Sequence, residues 1–378
     1  MSLNKSLHLP YIDGLRALCA LYVVFCHIAI HQNITCANLS FIEKLSVQFF
    51  YGGHYAVDFF IVLSGYSLSI KMANNNKFTL PVSSFSFLVR RAKRILIPYY
   101  FSLMLSLLLI YFFIGRKTGT HWDISLPVSY KDILAHFFLV HDLFESKMFK
   151  INHALWSISV EFRIYILFPL ILLGLKYYGW IRMFIITIIF SSTLFLMVLL
   201  IQHYLNVNLT EYWPGVSPYI ILFFLGMFSA NVTLNSVMKP VLQCSYWLPL
   251  FFLLLVAFIS LASLLRFSKF YYQVVDVVFG LLVTVFIVVI NSEKCNPVKQ
   301  LLSSKILVKI GSISYSIYLI HSPIIQFVWL FIVKSSNNTP IVSYYILMAL
   351  SVPLIILLAY VFYVLIEKPF ISTSKTSK

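Results

Sequence analysis

The chain has 378 residues, a net charge of +16, 60% hydrophobic residues and only 11% charged ones. A soluble globular domain carries about 25% charged residues, so this composition excludes one and points to an integral membrane protein. The positive charge is read as Lys and Arg in cytoplasmic loops rather than as a nucleic-acid surface.

The first apolar run, Tyr11 to His27, holds Arg16 near one end and His27 near the other. On an α-helix their offset is three turns, a rotation of ~20° and a rise of roughly 16 Å. Both side chains therefore share one face at different depths. Ionisable residues inside a membrane helix are costly and by default mark a substrate or proton site. The bland reading has Arg16 snorkelling to the surface and His27 bonded to a neighbouring helix.

Hydropathy places ten spans, at about 13–31, 54–72, 95–114, 155–175, 181–202, 217–233, 245–264, 271–291, 310–333 and 342–366. Leu/Ile/Phe/Val runs without a two-residue alternation favour helices over a barrel. The expected fold is all-α: a polytopic helical bundle over residues 1–370, with a short tail at 371–378. Lys and Arg concentrate on the side of the N-terminus, which puts both termini in the cytoplasm. The link 115–154 is then the longest outside segment. Its piece Lys131–Leu143 is mildly amphipathic and suits the outer surface. The first span has no cleavage site behind a short apolar core and is expected to stay as an anchor.

The second span carries Asp58, an acid that needs a partner at that depth, and Ser64-Gly65, a pair that suits close helix packing. Before the third span stand Arg90, Arg91, Lys93 and Arg94. They fit a lipid-headgroup anchor. Arg91 and Arg94 also share a helix face, where two forked donors grip a polyphosphate. Pro98 suits a first helical turn. The fourth span opens with His153 at its outer boundary and carries Glu161 and Arg163, which point apart. The ninth holds Ser314, Tyr315, Ser316, Tyr318 and His321, polar groups that most simply bond between helices. The five cysteines show no metal or redox spacing, and no metal is expected. Cys19 and Cys26 read as small hydrophobes. Trp122, Tyr212 and Trp213 suit either sugar stacking or an interfacial belt.

Taken in order, R-x10-H, VDFFIVLSGY, RRAKRILIP, WSISVEFRIYILFP, SYSIYLIHSPI and IEKPF resemble the membrane-bound acyltransferase-3 family from about residue 8 to 370. The resemblance implies a multi-pass bacterial inner-membrane O-acetyltransferase that takes acetyl from acetyl-CoA. Its acceptor would be an extracytoplasmic carbohydrate such as lipopolysaccharide O-antigen, exopolysaccharide or a lipid-linked precursor. It implies Arg16 and the catalytic His27, the pair Arg91 and Arg94 at the donor, and Glu161 as an acid. Phe162 stands where the family usually has a second Glu. The resemblance is to the stand-alone class, without an esterase-like domain.

In that scheme the donor phosphates dock at Arg91 and Arg94, with Arg16 lining the way. His27 takes the acceptor hydroxyl proton or becomes acetylated itself, and Asp58 or Glu161 orients the ring. A proton-coupled transporter is the rival, since it too needs intramembrane ionisable groups. It is disfavoured by the lack of internal repeats and of paired broken spans.

Overall fold

The computed structural model describes residues 8–372, apart from 33, 35–38, 76–77, 206–216, 266–267, 269–270, 293–295 and 335–338. Tyr212, Trp213, Cys36, Cys295 and tail residues 373–378 thus lie outside the described residues. Every regular element among those described is helical. The principal ones are α1 (Pro10–His31), α2 (Phe41–Gln48), α3 (Gly53–Asn75), α4 (Ser84–Leu109), α5 (Tyr130–Phe137) and α6 (Trp156–Leu205). They continue with α7 (Tyr219–Leu234), α8 (Trp247–Leu264), α9 (Tyr271–Asn291), α10 (Ser314–Val328) and α11 (Pro340–Phe362).

Eight helical stretches among the described residues are long and apolar enough to cross a membrane, or nine if the bent pair at Tyr219–Leu242 counts as one span. Hydropathy placed ten. The largest difference lies in α6, which joins two expected spans into one 50-residue helix. Such a helix would be about 75 Å long if straight, over twice a ~30 Å hydrocarbon core. Gly179 interrupts it with φ 73° and ψ 178°, a backbone state open to glycine because it has no Cβ. Hydropathy reads the polar residues at 176–179 as a loop, whereas the chain needs only one non-helical residue there.

The third span also starts earlier than its apolar run. Helix α4 begins at Ser84 and carries the basic cluster on its own first turns, so Pro98 lies inside the helix and not in its first turn. A proline there removes one backbone bond, and membrane helices tolerate this where side chains or neighbouring helices re-satisfy the freed carbonyl.

The chain divides into two compact units. The first comprises residues 1–16, 57–88 and 163–308. Within it, α9 packs on both α7 and α8. Helices α3 and α7 meet at reciprocal glycines. A Cβ on Gly65 would stand 2.0 Å from the Phe223 carbonyl oxygen, and one on Gly226 would stand 2.0 Å from that of Val62. The backbones therefore touch, as small residues allow in membrane helices. The neighbouring Ser64 hydroxyl is hydrogen-bonded to the Tyr165 hydroxyl.

The second unit comprises residues 17–56, 89–162 and 309–378. It contains most of α1, most of α4, the whole 115–155 link, the start of α6, and α10 packed on α11. Several polar groups in its interior pair with one another or with backbone. The Ser102 hydroxyl donates to the Leu319 carbonyl at 2.7 Å, Tyr315 to that of Ile95 at 2.9 Å, and Ser316 to the Glu367 carboxylate at 2.6 Å. Cys19 and Cys26 are buried free thiols, as their apolar setting implies.

Gly65→Ala or Gly226→Ala forces the α3–α7 backbones apart. Each is expected to destabilise the protein by about 1–3 kcal/mol, read as a lower thermal midpoint in detergent. Gly179→Ala is strained for a different reason, its positive φ.

Candidate active site

The second unit gathers four histidines from three parts of the chain. Helix α1 supplies His27. It is set by Pro10 at the helix start and Asp13 in the first turn, and it runs unbroken past the histidine to His31. The 115–155 link supplies His121 and His153, and α10 supplies His321. Ring centres lie 4.6 Å apart for His27 and His153, 5.0 Å for His27 and His321, 5.0 Å for His121 and His153, and 6.1 Å for His27 and His121.

The tightest contact is between His27 Nδ1 and His153 Nε2, at 3.1 Å. His153 is held in turn by two hydroxyls. Ser125 Oγ lies 3.1 Å from its Nδ1, and Ser322 Oγ lies 2.9 Å from its Nε2. The backbone before it is anchored by Asn152, fully buried. The Asn152 amide donates to Ser106 Oγ at 3.2 Å and to the Leu319 carbonyl at 3.0 Å. His321 donates Nδ1–H to the Tyr318 carbonyl at 2.8 Å, which leaves its Nε2 as a lone-pair acceptor. His27 is only partly buried, so one edge of the cluster is open. Burial holds the His153 ring well toward its neutral form, and the neighbouring His27 and His121 rings add to this. Burial also lowers His121.

The link is a built structure. Asp123 accepts from the backbone N–H groups of Thr118 and Gly119, at 2.9 and 2.8 Å. Gln326 of α10 exchanges hydrogen bonds with Thr120 and Thr118, each at 3.1 Å. The Trp122 ring is fully buried with Ile114 and Leu126, and its indole N–H donates to the Ile114 carbonyl at 3.1 Å. It is therefore a core residue, not the exposed stacking platform or belt residue expected from the sequence. The expected amphipathic piece 131–143 holds α5, opened by a reciprocal cap between Ser129 and Asp132, and then a 3-10 turn at His141–Leu143.

The other residues singled out by sequence fall as follows. Arg91 and Arg94 lie three apart on α4, both partly buried, in the same unit as His27. Glu161 lies on α6 in that unit, and its charge reaches the Tyr318 hydroxyl, which pairs with Ser157 at 2.8 Å. Arg16 and Asp58 belong to the first unit. Arg16 donates to Asp13 at 3.1 Å and to Ser67 Oγ at 2.7 Å. Asp58 is fully buried, with a carboxylate oxygen within 4.8 Å of one from Asp276, also fully buried. The nearest recorded ring partners of His27 are thus imidazoles. His121 and Ser125 carry no motif of their own, Ser322 sits beside His321 in SYSIYLIHSPI, and nothing in their spacing signals that they converge.

The acyltransferase-3 family model, described as an acyltransferase domain, matches residues 9–360. The chain belongs to that family. It is 25% identical over 380 residues to O-acetyltransferase OatA of Staphylococcus aureus strain NCTC 8325, covering 96% of this chain and 57% of that protein. A second S. aureus protein, SACOL0978 of strain COL, is 26% identical over 385 residues, covering 97% of this chain and 58% of its own length. The chain thus spans somewhat over half the length of these curated relatives. No solved structure matches it.

Beside the cluster, the His136 and His141 rings stack at 3.8 Å and 11°. His136 Nδ1–H donates to the Asp132 carbonyl at 2.8 Å, and Lys147 pairs with the Asp132 carboxylate at 3.3 Å. Burial pushes His136 down to about 4, with the Asp132 carbonyl opposing. The unfolded segment takes up a proton near pH 6.5, which the folded one refuses until about pH 4. The stability is complete above pH 6.5 and fades as pH falls toward 4, by on the order of 3 kcal/mol. Protection factors for amide exchange across 130–143, corrected for the intrinsic pH dependence, are expected to fall as pH drops through that window, and His136→Gln to flatten the dependence.

Proposed function

We propose that this chain moves an acetyl group from cytoplasmic acetyl-CoA to a hydroxyl of an extracytoplasmic carbohydrate, with His27 as general base. The observation that carries the reading is the His27–His153 contact at 3.1 Å, inside a chain of the acyltransferase family. A base held by a second group is the arrangement that proton abstraction needs. Relatives named O-acetyltransferase support acetyl as the acyl group.

In the productive tautomer His27 Nδ1–H donates to His153 Nε2, which leaves His27 Nε2 with its lone pair. That nitrogen takes the acceptor's hydroxyl proton as the oxygen attacks the thioester carbonyl. The tetrahedral oxyanion collapses and expels the CoA thiolate. The imidazolium returns its proton to that sulfur, so the products are the O-acetyl ester and free CoA. A covalent acetyl-imidazole at His27 would split the same reaction into two transfers. His153 spreads the transient positive charge, the role first expected of Asp58 or Glu161. Of those carboxylates, Glu161 keeps a supporting part in the proposal; Asp58 lies in the other unit, near Asp276.

Donor binding is assigned to Arg91 and Arg94, whose forked guanidinium groups on one helix face suit the phosphates of CoA. The topology that serves this scheme has both termini in the cytoplasm of a bacterial cell, ten crossings of the inner membrane and the 115–155 link outside. The acceptor class is a surface polysaccharide, such as lipopolysaccharide O-antigen or exopolysaccharide, or its lipid-linked precursor.

His27→Ala is expected to cut radiolabelled acetyl transfer into the carbohydrate fraction by at least about 10²-fold, with the protein inserted normally. Transfer at the wild-type rate would refute the assignment. Arg91→Ala with Arg94→Ala is expected to raise the KM for acetyl-CoA by about tenfold or more. An unchanged KM would reduce the pair to a lipid anchor.

A further inference from the structure

His27, His121 and His153 each offer a ring nitrogen, and the three nitrogens lie within 4.8 Å of one another. We propose that these three residues form a binding site for a divalent transition-metal cation, with Zn2+ the best match, and that the bound metal switches acyl transfer off. The inhibitory half rests on the role given to His27 above. The binding half does not.

The geometry is close to what zinc requires. Zn–N bonds of about 2.0–2.1 Å in a tetrahedron hold ligand nitrogens about 3.3 Å apart. The His27–His153 pair stands at 3.1 Å. His121 closes the remainder by turning about its own side-chain torsions. It is partly exposed, at the start of a short 3-10 turn. Ser125, 3.1 Å from His153 Nδ1, orients that ring as outer-shell partners of metal-bound histidines do. A fourth nitrogen stands near. His321 is fully buried, its Nδ1–H is committed to the Tyr318 carbonyl, and its Nε2 has no hydrogen-bond partner among the described residues. Its ring centre is 5.0 Å from that of His27.

The donor set selects the metal class. All donors are imidazole nitrogens, with no carboxylate among them. Mg2+ and Ca2+ demand oxygen ligands and have little to hold here. Zn2+, Cu2+, Ni2+ and Co2+ favour imidazole. Clustering of uncharged imidazoles without an acid is also what distinguishes the group from a relay built on carboxylates.

Inhibition follows from counting lone pairs. A neutral imidazole has one lone pair and one N–H. Once a metal occupies the lone pair of His27, at either nitrogen, the other nitrogen is an N–H. No base is left for the hydroxyl proton. Metal and acceptor proton therefore compete for one electron pair, and chelation restores activity.

The test uses the full chain, purified in detergent through a tag without histidine and stripped with chelator. Titration with Zn2+ against a chromophoric chelator is expected to give one site per chain, and Mg2+ none. His121→Ala and His153→Ala are each expected to weaken Zn2+ binding at least tenfold. Co2+ at the site is expected to give the visible absorption of a low-coordinate nitrogen complex. Absence of stoichiometric binding in the folded wild-type chain overturns the proposal, as does binding that neither substitution alters. Should His153→Ala fail to fold, His121→Ala decides alone, because His121 is partly exposed. In the transfer assay Zn2+ is expected to inhibit reversibly, with relief by EDTA. Stoichiometric zinc with undiminished transfer overturns the inhibitory half. Zinc binding in a chain without any transfer activity refutes the proposed function and leaves the metal site standing.

Discussion

A contact of 3.1 Å between His27 and His153 joins the first long helix to a segment more than a hundred residues further on. Two imidazoles can meet in an apolar setting at modest cost, because in its neutral form each carries one donor and one acceptor. A carboxylate in place of either would demand a cation or a proton. This neutrality lets four histidine rings share a small volume, and it leaves open which atom holds each proton. The chemistry proposed for the site, abstraction of a hydroxyl proton or capture of a metal, uses that freedom.

The surroundings convert the contact into a defined geometry. Ser125 and Ser322 grip His153, Asn152 ties the preceding backbone to α4 and α10, and Gln326 locks the 118–120 turn. Each of these groups is a side chain spending its hydrogen bonds inside the protein, as a chain in lipid must. Parts of the 115–155 link are therefore buried, although others, such as Tyr130, Phe137 and Phe138, stay exposed. Its Trp122 is core, and its stacked His136 and His141 bury two further titratable rings. The first unit uses a different device. At Gly65 and Gly226 it removes side chains so that backbones touch.

The relation to O-acetyltransferase OatA extends over 96% of this chain at 25% identity. At that distance most side chains have changed, and what is shared is the family pattern. Phe162 stands where the resemblance implies a second acid, and the ring neighbours of His27 are histidines.

Membrane class, helical fold and family were legible in the sequence because each depends on local composition or on short motifs. Apolar runs, Lys/Arg bias and R-x10-H are properties of neighbouring residues, and Gly65 announced close packing by its size alone. Span boundaries were less legible. A single positive-φ glycine at 179 divides α6, and hydropathy cannot tell one residue of non-helical backbone from a loop. Pro98 looked like a helix start because its preceding cations are polar, yet polar residues extend a helix as well as apolar ones. His27 was visible as a face-sharing partner of Arg16. Its true neighbours were not, because His121 and His153 lie on the link and His321 on α10, at no fixed spacing from it. Sequence order reports what one helix can place on one face. Only the packing of α1, the link and α10 decides which of those faces meet, since that depends on side-chain volumes and hydrogen bonds between residues far apart in the chain.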